Sequence, residues 1–486
     1  MLLLDKFFYP DTIAVIGASR KPGKVGHEIL RILKENKDKG IFKGELYAVN
    51  PDAREILGVT TYPSISQLPS PPDLAVIAIP AKLVPGAVDE LGKLGTKNVV
   101  VISGGFAEIG DEGIVLQDQL IRIAKKHGIR IVGPNCIGIL CPETGVDTMF
   151  LPFEKEVGGR ALKSFPRPKA GSISLITQSG AFGVACLDYM AGEKLGLAKF
   201  ISYGNRADVD EAELIDYLAS DYKTRVILVY IESLERGKEF IDAARRAVLS
   251  KPIVVLKAAR TKAGSRAALS HTAAVAGRDD IYDAAFRQAG IIRVNNVEEL
   301  FDVAKALSMQ PPAKGKRIAV LTDGGGAGVM AVDELESRGQ IIADLSGETE
   351  ERLEELKRMG IIPPIASVKN PVDLTGSTND ESYVRSLEIL LESSAVDGVI
   401  VIALHHVPGL TGDLPEKLAD VAKGIDKPVV FCDIGQGKYA VAFRERFEEL
   451  GFPAYPTPER AAIAISALTT YGTVRRKLLE GGLITP

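Results

Sequence analysis

Ile13-Ala14-Val15-Ile16-Gly17-Ala18-Ser19-Arg20-Lys21-Pro22-Gly23-Lys24-Val25-Gly26 decides how the rest of the chain is read. A short β-branched run breaks at a glycine-containing loop, and a helical stretch from His27 to Asn36 follows. That order is the opening of a parallel βαβ unit, with loop amides and a helix dipole facing one point. Outward from it, strands are expected at Glu45–Val49, Leu74–Ile79, Asn98–Ile102 and Arg130–Val132, with helices at Leu83–Leu94 and Glu112–His127 among the connections. Strand and helix patterns that alternate in this way predict a doubly wound Rossmann-like domain over residues 1–145.

The same alternation continues to the far end of the 486 residues, a length that suits roughly three domains of about 150 residues. Residues 146–170, with Pro152, Gly158-Gly159, Pro166 and Pro168, read as a linker. A second α/β domain is expected over 171–309, a second linker over 310–316, a third domain over 317–470 and a short tail over 471–486. Domains two and three share four segments in order. Thr177-Gln178-Ser179-Gly180-Ala181-Phe182-Gly183 matches Thr322-Asp323-Gly324-Gly325-Gly326-Ala327-Gly328, and Gly204-Asn205-Arg206-Ala207-Asp208 matches Lys369-Asn370-Pro371-Val372-Asp373. Strand Arg225–Ile231 matches Gly398–Ala403, and Lys251–Val255 matches Lys427–Phe431. Repetition of both order and chemistry points to an internal duplication.

Composition narrows the function classes. Apolar residues make up 46% and charged residues 25%, as in soluble globular proteins, and the net charge of −4 gives no electrostatic footprint for nucleic acid. The apolar runs are strand-length and the N-terminus lacks a signal-peptide pattern, so a cytoplasmic protein without membrane spans is expected. Cys136, Cys141, Cys186 and Cys432 have no metal-ligand spacing, and no metal site is expected.

The Gly17–Gly26 loop suits the phosphates of a nucleotide, although its spacing is not GxGxxG and it also lacks the P-loop pattern. An NAD-type fold carries an acid at the tip of the second strand for the ribose hydroxyls. Here that strand ends Tyr47-Ala48-Val49-Asn50-Pro51. Asn50 beside Lys24 or Arg20 would tolerate a ribose 3′-phosphate, which an acid would repel, and this favours coenzyme A. Ser179-Gly180-Ala181 and Gly324-Gly325-Gly326 each stand between a strand and an expected helix, as tight turns or as phosphate cradles.

Ser270-His271-Thr272-Ala273-Ala274-Val275-Ala276-Gly277 holds one of five histidines. The basic, glycine-containing stretch before it, Lys257–Arg266, reads as a mobile loop. Taken alone, His271 reads first as a surface or capping residue; it could also be a nucleophile, a base or a ligand. Strand Arg225–Ile231 ends at Glu232, and its expected neighbour Ile253–Leu256 leads into the His271 segment. Glu232 could therefore hold Nδ1–H of His271, with Asp208, Asp210 and Glu211 as rivals.

With these motifs assembled, the chain resembles the α subunit of NDP-forming acyl-CoA synthetases, the ADP-forming acetate–CoA ligase group within the succinyl-CoA synthetase superfamily. The resemblance rests on Val15–Ser19, Val49-Asn50-Pro51, Ser103-Gly104-Gly105-Phe106, Gly133-Pro134-Asn135-Cys136-Ile137-Gly138, Gln178–Ala181, Ser270-His271-Thr272 and Thr322–Gly325, in that order. It implies a Rossmann-like CoA-binding domain followed by two flavodoxin-like domains. It also implies interconversion of acyl-CoA, phosphate and ADP or GDP with acid, CoA and ATP or GTP, through an acyl phosphate and a phosphohistidine at His271.

Under that resemblance Glu232 orients His271, and Asn135 lies at the acyl-transfer centre. Gly17, Ala18, Ser19, Lys24, Val25, Asn50, Pro51, Ile79, Ser103 and Gly104 hold CoA. Ser179, Gly180 and Ala181, with Gly324, Gly325 and Gly326, hold phosphate. Nucleotide and Mg²⁺ are expected on an ATP-grasp β subunit in an α2β2 heterotetramer, reached by a swing of the His271 segment with Gly264 and Ser265 as its hinge. A small organic acid or its acyl-CoA is the substrate. The alternatives are a non-catalytic CoA-sensing protein, a regulatory module of a protein acetyltransferase, and a nicotinamide dehydrogenase.

Overall fold

A computed structural model of the chain describes residues 4–151, 154–272 and 278–481. It divides into two compact units at Arg293/Val294.

Strands β1 (Thr12–Ile16), β2 (Glu45–Val49), β3 (Glu55–Ile56), β4 (Val59–Tyr62), β5 (Leu74–Ile77), β6 (Asn98–Val101) and β7 (Arg130–Val132) form the first sheet, in the order β3-β4-β2-β1-β5-β6-β7. Without the short β3, which pairs antiparallel with β4, the order is the 3-2-1-4-5-6 of dinucleotide folds. β1 lies between parallel neighbours, β2 and β5, and Ile13, Ala14 and Val15 are fully buried. Burial on both faces is why this strand is continuously apolar instead of alternating. Helices Val25–Asp38, Val84–Leu94 and Asp111–His127 supply crossovers.

The second sheet contains β8 (Gly138–Cys141), β9 (Val146–Asp147), β12 (Ala170–Thr177), β13 (Leu197–Ser202), β14 (Val226–Ile231), β15 (Ile253–Lys257) and β16 (Ile292–Val294). Between them β10 (Glu154–Val157) and β11 (Arg160–Lys163) pair as a separate hairpin. The third sheet contains β17 (Arg317–Thr322), β18 (Ile341–Ile342), β19 (Val372–Asp373), β20 (Gly398–Ile402), β21 (Val429–Cys432) and β22 (Ala454–Tyr455). The orders β13-β12-β14-β15-β16 and β18-β17-β20-β21-β22 are both 2-1-3-4-5, the flavodoxin-like winding. The duplication seen in the sequence is thus repeated in topology.

Several expectations are corrected. β8, inside the stretch assigned to the first domain, pairs antiparallel with β13 and belongs to the second sheet. The 146–170 stretch carries the β10–β11 hairpin, because Gly158 and Gly159 both adopt positive φ, as a two-residue turn with primed geometry requires. Helix Val297–Met309, assigned to the second domain, packs within the second compact unit. There Asp302 is bonded by Arg460 and its carbonyl by Tyr455, and Lys305 pairs with Glu448. The expected tail belongs largely to helix Pro458–Leu479.

The largest correction concerns His271, whose backbone lies in a helix, Lys262–Thr272, instead of a loop. Thr261 starts this helix, its hydroxyl accepting from Gly264 N at 3.0 Å and its carbonyl from Ser265 N at 2.8 Å. Ala263, Ala267, Ala268 and Leu269 favour its continuation. Gly264 and Ser265 stand inside its first turn, so the hinge expected there is instead hydrogen-bonded helix. Residues 273–277 of the histidine stretch lie outside the described residues.

Candidate functional site

The Gly17–Gly26 loop is shaped by two close approaches. Gly17 has φ +90°, and a Cβ on Gly26 would stand 2.0 Å from the Gly17 carbonyl oxygen. The start of helix Val25–Asp38 is thus packed directly on the end of β1. Asn50 Nδ2 donates to the Ala18 carbonyl at 2.7 Å, and buried His27 contacts the Ser19 carbonyl through Nδ1 at 2.8 Å. Asn50 therefore fixes the loop, a more definite task than tolerating a phosphate. Arg20, Lys21 and Lys24 are exposed around it. A backbone cradle that excludes side chains, with a cationic rim and no acid at the strand tip, fits a phosphorylated nucleotide such as coenzyme A. Pro51 is exposed beside it, while Ile79 and Ser103 are half-buried, with Ser103 Oγ donating to the Ile79 carbonyl at 2.5 Å.

Asn135 is exposed, adopts a left-handed φ of 57°, and donates from its backbone N to the Ser103 carbonyl at 2.9 Å. Its side-chain amide reaches Asn205 Oδ1 at 3.2 Å, and Asn205 Nδ2 donates to Glu108 Oε2 at 2.5 Å and Gln117 Oε1 at 3.1 Å. Glu108 also accepts from Gly105 N and Phe106 N. This network joins the first and second sheets at the Gly104–Asn135 edge. Burial pushes the Glu108 carboxyl up, but the hydrogen bonds from Asn205, Gly105 and Phe106 outweigh it and hold it below the ordinary glutamate value.

A depressed carboxylate contributes stability above its unfolded pKa and loses it as pH falls through the folded one. Glu108→Gln should cost roughly 1–3 kcal/mol at pH 7, the worth of hydrogen bonds to a charged group, with the difference from wild type vanishing in acid. Urea melts between pH 3 and pH 7, values chosen to bracket the glutamate range, check this.

At the carboxyl edge of the second sheet, Ser179 caps helix Gly180–Gly192, accepting from Phe182 N at 3.4 Å, and Ala181 is exposed. Gln178 Oε1 accepts from the backbone of Glu232 at 2.8 Å and Ser233 at 3.2 Å, clamping the end of β14 to the end of β12. Glu232 is buried, and its Oε1 accepts from Tyr230 OH at 3.3 Å. Lys257, across from Ile231 on β15, donates to the Glu232 carbonyl at 2.8 Å and to the Ala258 carbonyl, with its ammonium over the Tyr282 ring. Burial pushes its pKa down to about 8. The helix that bears His271 leaves this same edge five residues after Lys257.

The rivals of Glu232 are otherwise engaged. Asp208 pairs with Arg130, Asp210 caps helix Glu211–Ser220, and Glu211 contacts Arg206.

The third sheet repeats the arrangement at β17. Gly324 precedes helix Gly325–Ser337 without a side-chain cap, and Gly325 and Gly326 are exposed. Asp323 takes the part of Gln178, its Oδ2 accepting from Leu404 N at 3.0 Å at the end of β20. The buried Tyr383 hydroxyl, which donates to the Ile402 carbonyl at 2.6 Å, stands against its carboxyl. Burial pushes the Asp323 pKa up to about 6.

A raised carboxyl makes the folded state take up a proton that the unfolded chain has released, so stability falls as pH rises from about 4 to about 6. Asp323→Asn, which supplies the amide that Gln178 has, should be more stable than wild type at pH 7 by up to about 3 kcal/mol. Below pH 4, near the unfolded carboxyl value, the two should converge in melting temperature.

Matches to known protein families follow the same three-part division. Residues 11–142 match a CoA binding domain, 170–307 a succinyl-CoA ligase like flavodoxin domain, and 318–476 a ligase-CoA domain. The chain is 39% identical to the α subunit of ADP-forming acetate–CoA ligase II of Pyrococcus furiosus, over 96% of this chain and 97% of that one. It belongs to the ADP-forming acetate–CoA ligase family.

The α subunit of ligase I from P. furiosus is 38% identical over 98% of this chain and 99% of its own length. ADP-forming ligase I of Archaeoglobus fulgidus is 39% identical, and 64% of its length is covered. Among solved structures, the dinucleotide forming acetyl-coenzyme A synthetase 1 of Ca. Korarchaeum cryptofilum, in complex with phosphate and ADP, superposes with a TM-score of 0.88 at 37% identity, covering 98% of each chain. These relatives set the dehydrogenase and regulatory alternatives aside. Glu108 escaped sequence reading, and Gln178, Asn205 and Lys257 were read only as members of a motif, a repeat and a basic stretch, since nothing in periodicity or spacing marks the bonds they make.

Proposed function

We propose that this chain is the phosphoryl-carrying α subunit of an ADP-forming acid–CoA ligase, with His271 as the carrier. One observation supports this above the others: the helix bearing His271 leaves the sheet edge that also holds Glu232, Lys257 and the helix start at Gly180. In parallel sheets that edge is where ligand chemistry gathers.

Gly17, Ala18, Ser19, Lys24, Val25, Asn50, Pro51, Ile79, Ser103 and Gly104 would hold CoA, with its thioester end toward Asn135. Inorganic phosphate attacks the acyl carbon and the thiolate leaves, giving acyl phosphate and CoA. Helix starts at Ser179–Ala181 and at Gly324–Gly326 each present backbone amides suited to phosphate oxygens. The Nε2 lone pair of His271 then forms an N–P bond as the acyl P–O bond breaks and the carboxylate departs. Glu232 would hold Nδ1–H and offset the positive charge on the ring.

The phosphoryl group passes finally to ADP or GDP with Mg²⁺. The relatives matched end to end are named α subunits, which supports a partner for this last step, of ATP-grasp type in an α2β2 assembly. Among the described residues no helix is long and apolar enough to cross a membrane, and the reactants are those of the cytoplasm.

The test is labelling of the purified chain, alone and with its candidate β subunit, by acetyl phosphate or by acetyl-CoA with labelled phosphate. An acid-labile, base-stable label that disappears in His271→Ala supports the reading. No label in any condition, with CoA still bound, would return the chain to the CoA-sensing alternative.

A further inference from the structure

β15 is apolar up to its last residue, where the chain places a lysine. Ile253, Val254, Val255 and Leu256 are buried, and Lys257 after them is 1% exposed. A lysine is almost never buried that deeply unless its ammonium has partners. Lys257 donates to two carbonyls, that of Glu232 at 2.8 Å and that of Ala258, and the Tyr282 ring centroid lies 4.7 Å from Nζ.

These partners come from three segments. Glu232 follows β14, and both of its main-chain groups are held by side chains, the N–H by Gln178 and the carbonyl by Lys257. Ala258 opens the stretch that leads to His271. Tyr282 stands on helix Asp279–Ala289, which follows that stretch, and its hydroxyl accepts from Leu234 N at 3.2 Å. One ammonium therefore gathers the entry to the histidine segment, the exit from it and the backbone of Glu232. Arg260 Nε, 3.7 Å from Asp279 Oδ2, closes the same two ends a second time. Between Lys257 and Arg260 the chain turns at Ala259, whose left-handed φ of 57° is unfavourable for a residue with a Cβ. Ser265 Oγ donates to the Ala259 carbonyl at 3.1 Å, and Lys257 holds the carbonyl before it. The direction in which helix Lys262–Thr272 departs is thus set at this turn.

We infer that Lys257 is a positioning residue for phosphoryl transfer to His271, pinning both ends of the histidine segment to the backbone of Glu232. The inference rests on the carrier role proposed above. Every printed partner of Lys257 belongs to the chain itself, so its loss should slow transfer and leave half-saturation by acyl phosphate unchanged. The ammonium holds its partners best while charged. Burial lowers its pKa to about 8; Asp279 and Glu232 favour the charged form, Arg293 on β16 opposes it, and the Tyr282 ring covers it. As pH rises through that value the charge is lost, the clasp weakens, and transfer should fall.

The test uses the full chain and acetyl phosphate labelled on phosphorus, with the rate of His271 labelling followed from about pH 7 to about pH 10, near the ordinary lysine value. Wild type should lose rate above about pH 8. Lys257→Met, of similar reach but without N–H groups, should label at least about tenfold more slowly, without the alkaline fall and with half-saturation unchanged within about threefold. Lys257→Arg, charged throughout, should recover most of the rate and keep it above that pH. Lys257→Met labelled at the wild-type rate, or an alkaline fall that persists in it, overturns this inference and leaves the proposed function standing. A wild type without label removes both. Where Lys257→Met fails to fold, the other two profiles decide: a wild type without an alkaline fall, or the same fall in Lys257→Arg, overturns the inference.

Discussion

His271→Asn should lower net phosphoryl transfer to nucleotide by at least about a thousandfold, some 4 kcal/mol of barrier, while CoA affinity and melting temperature stay near wild type. An amide nitrogen has its lone pair delocalised into the carbonyl and does not form a stable N–P bond, so the loss is chemical and not a matter of fit. The position lies in the last turn of helix Lys262–Thr272, about 14 Å along the axis from its first residue at 1.5 Å per residue. A substitution that far from the Thr261 cap leaves the helix start intact. Phosphate-dependent exchange of labelled CoA into acetyl-CoA isolates the steps before the histidine and should survive in the variant. Loss of that exchange together with net transfer would mean that His271 serves acyl phosphate formation too, and the carrier role would need revision.

Those steps show how far the sequence speaks for itself. The parallel winding was legible because buried strands such as β1 are apolar without a break, and because glycines mark the βα turns at Gly17, Gly180 and Gly325. The duplication was legible from repeated motifs, and the two 2-1-3-4-5 sheets give it a physical basis. What stayed hidden depends on contacts between residues distant in the chain. Nothing local to Gly138–Cys141 says that it will pair with Leu197–Ser202, and a basic, glycine-containing run at 257–266 looks like loop until the Thr261 cap is seen. Asn50 illustrates the same limit within the site: its place at the strand tip was legible, its bond to the Ala18 carbonyl was not. Side chains that act through partners dozens of residues away, such as Gln178 and Lys257 on Glu232, need coordinates.

Gly26→Ala is the substitution expected to do most damage to coenzyme A binding. The added methyl would sit 2.0 Å from the Gly17 carbonyl oxygen, 2.8 Å from its carbon and 3.2 Å from the Ala18 Cα. All three are backbone atoms, so no side chain can turn away. Retreat of Gly17 is blocked as well, for a Cβ there would already be 2.5 Å from the Ala78 carbonyl. The helix start must therefore move off by about 1 Å to restore ordinary contact, at roughly 1–3 kcal/mol or somewhat more. That movement draws the loop away from Asn50 and separates His27 from the Ser19 carbonyl, bonds of 2.7 and 2.8 Å that hold the cradle in shape.

Gly23→Ala provides the contrast within the same loop. It has φ +79° and no atom within 4 Å of an added Cβ, so it should cost only the 1–2 kcal/mol of a left-handed alanine. Calorimetric titration with CoA should show Gly26→Ala weakened at least tenfold relative to Gly23→Ala, the consequence of about 1.4 kcal/mol lost from the bound state. Equal affinity in the two variants would mean that the Gly17–Gly26 cradle does not hold the phosphates, and the cofactor would have to be sought at another edge of the first sheet.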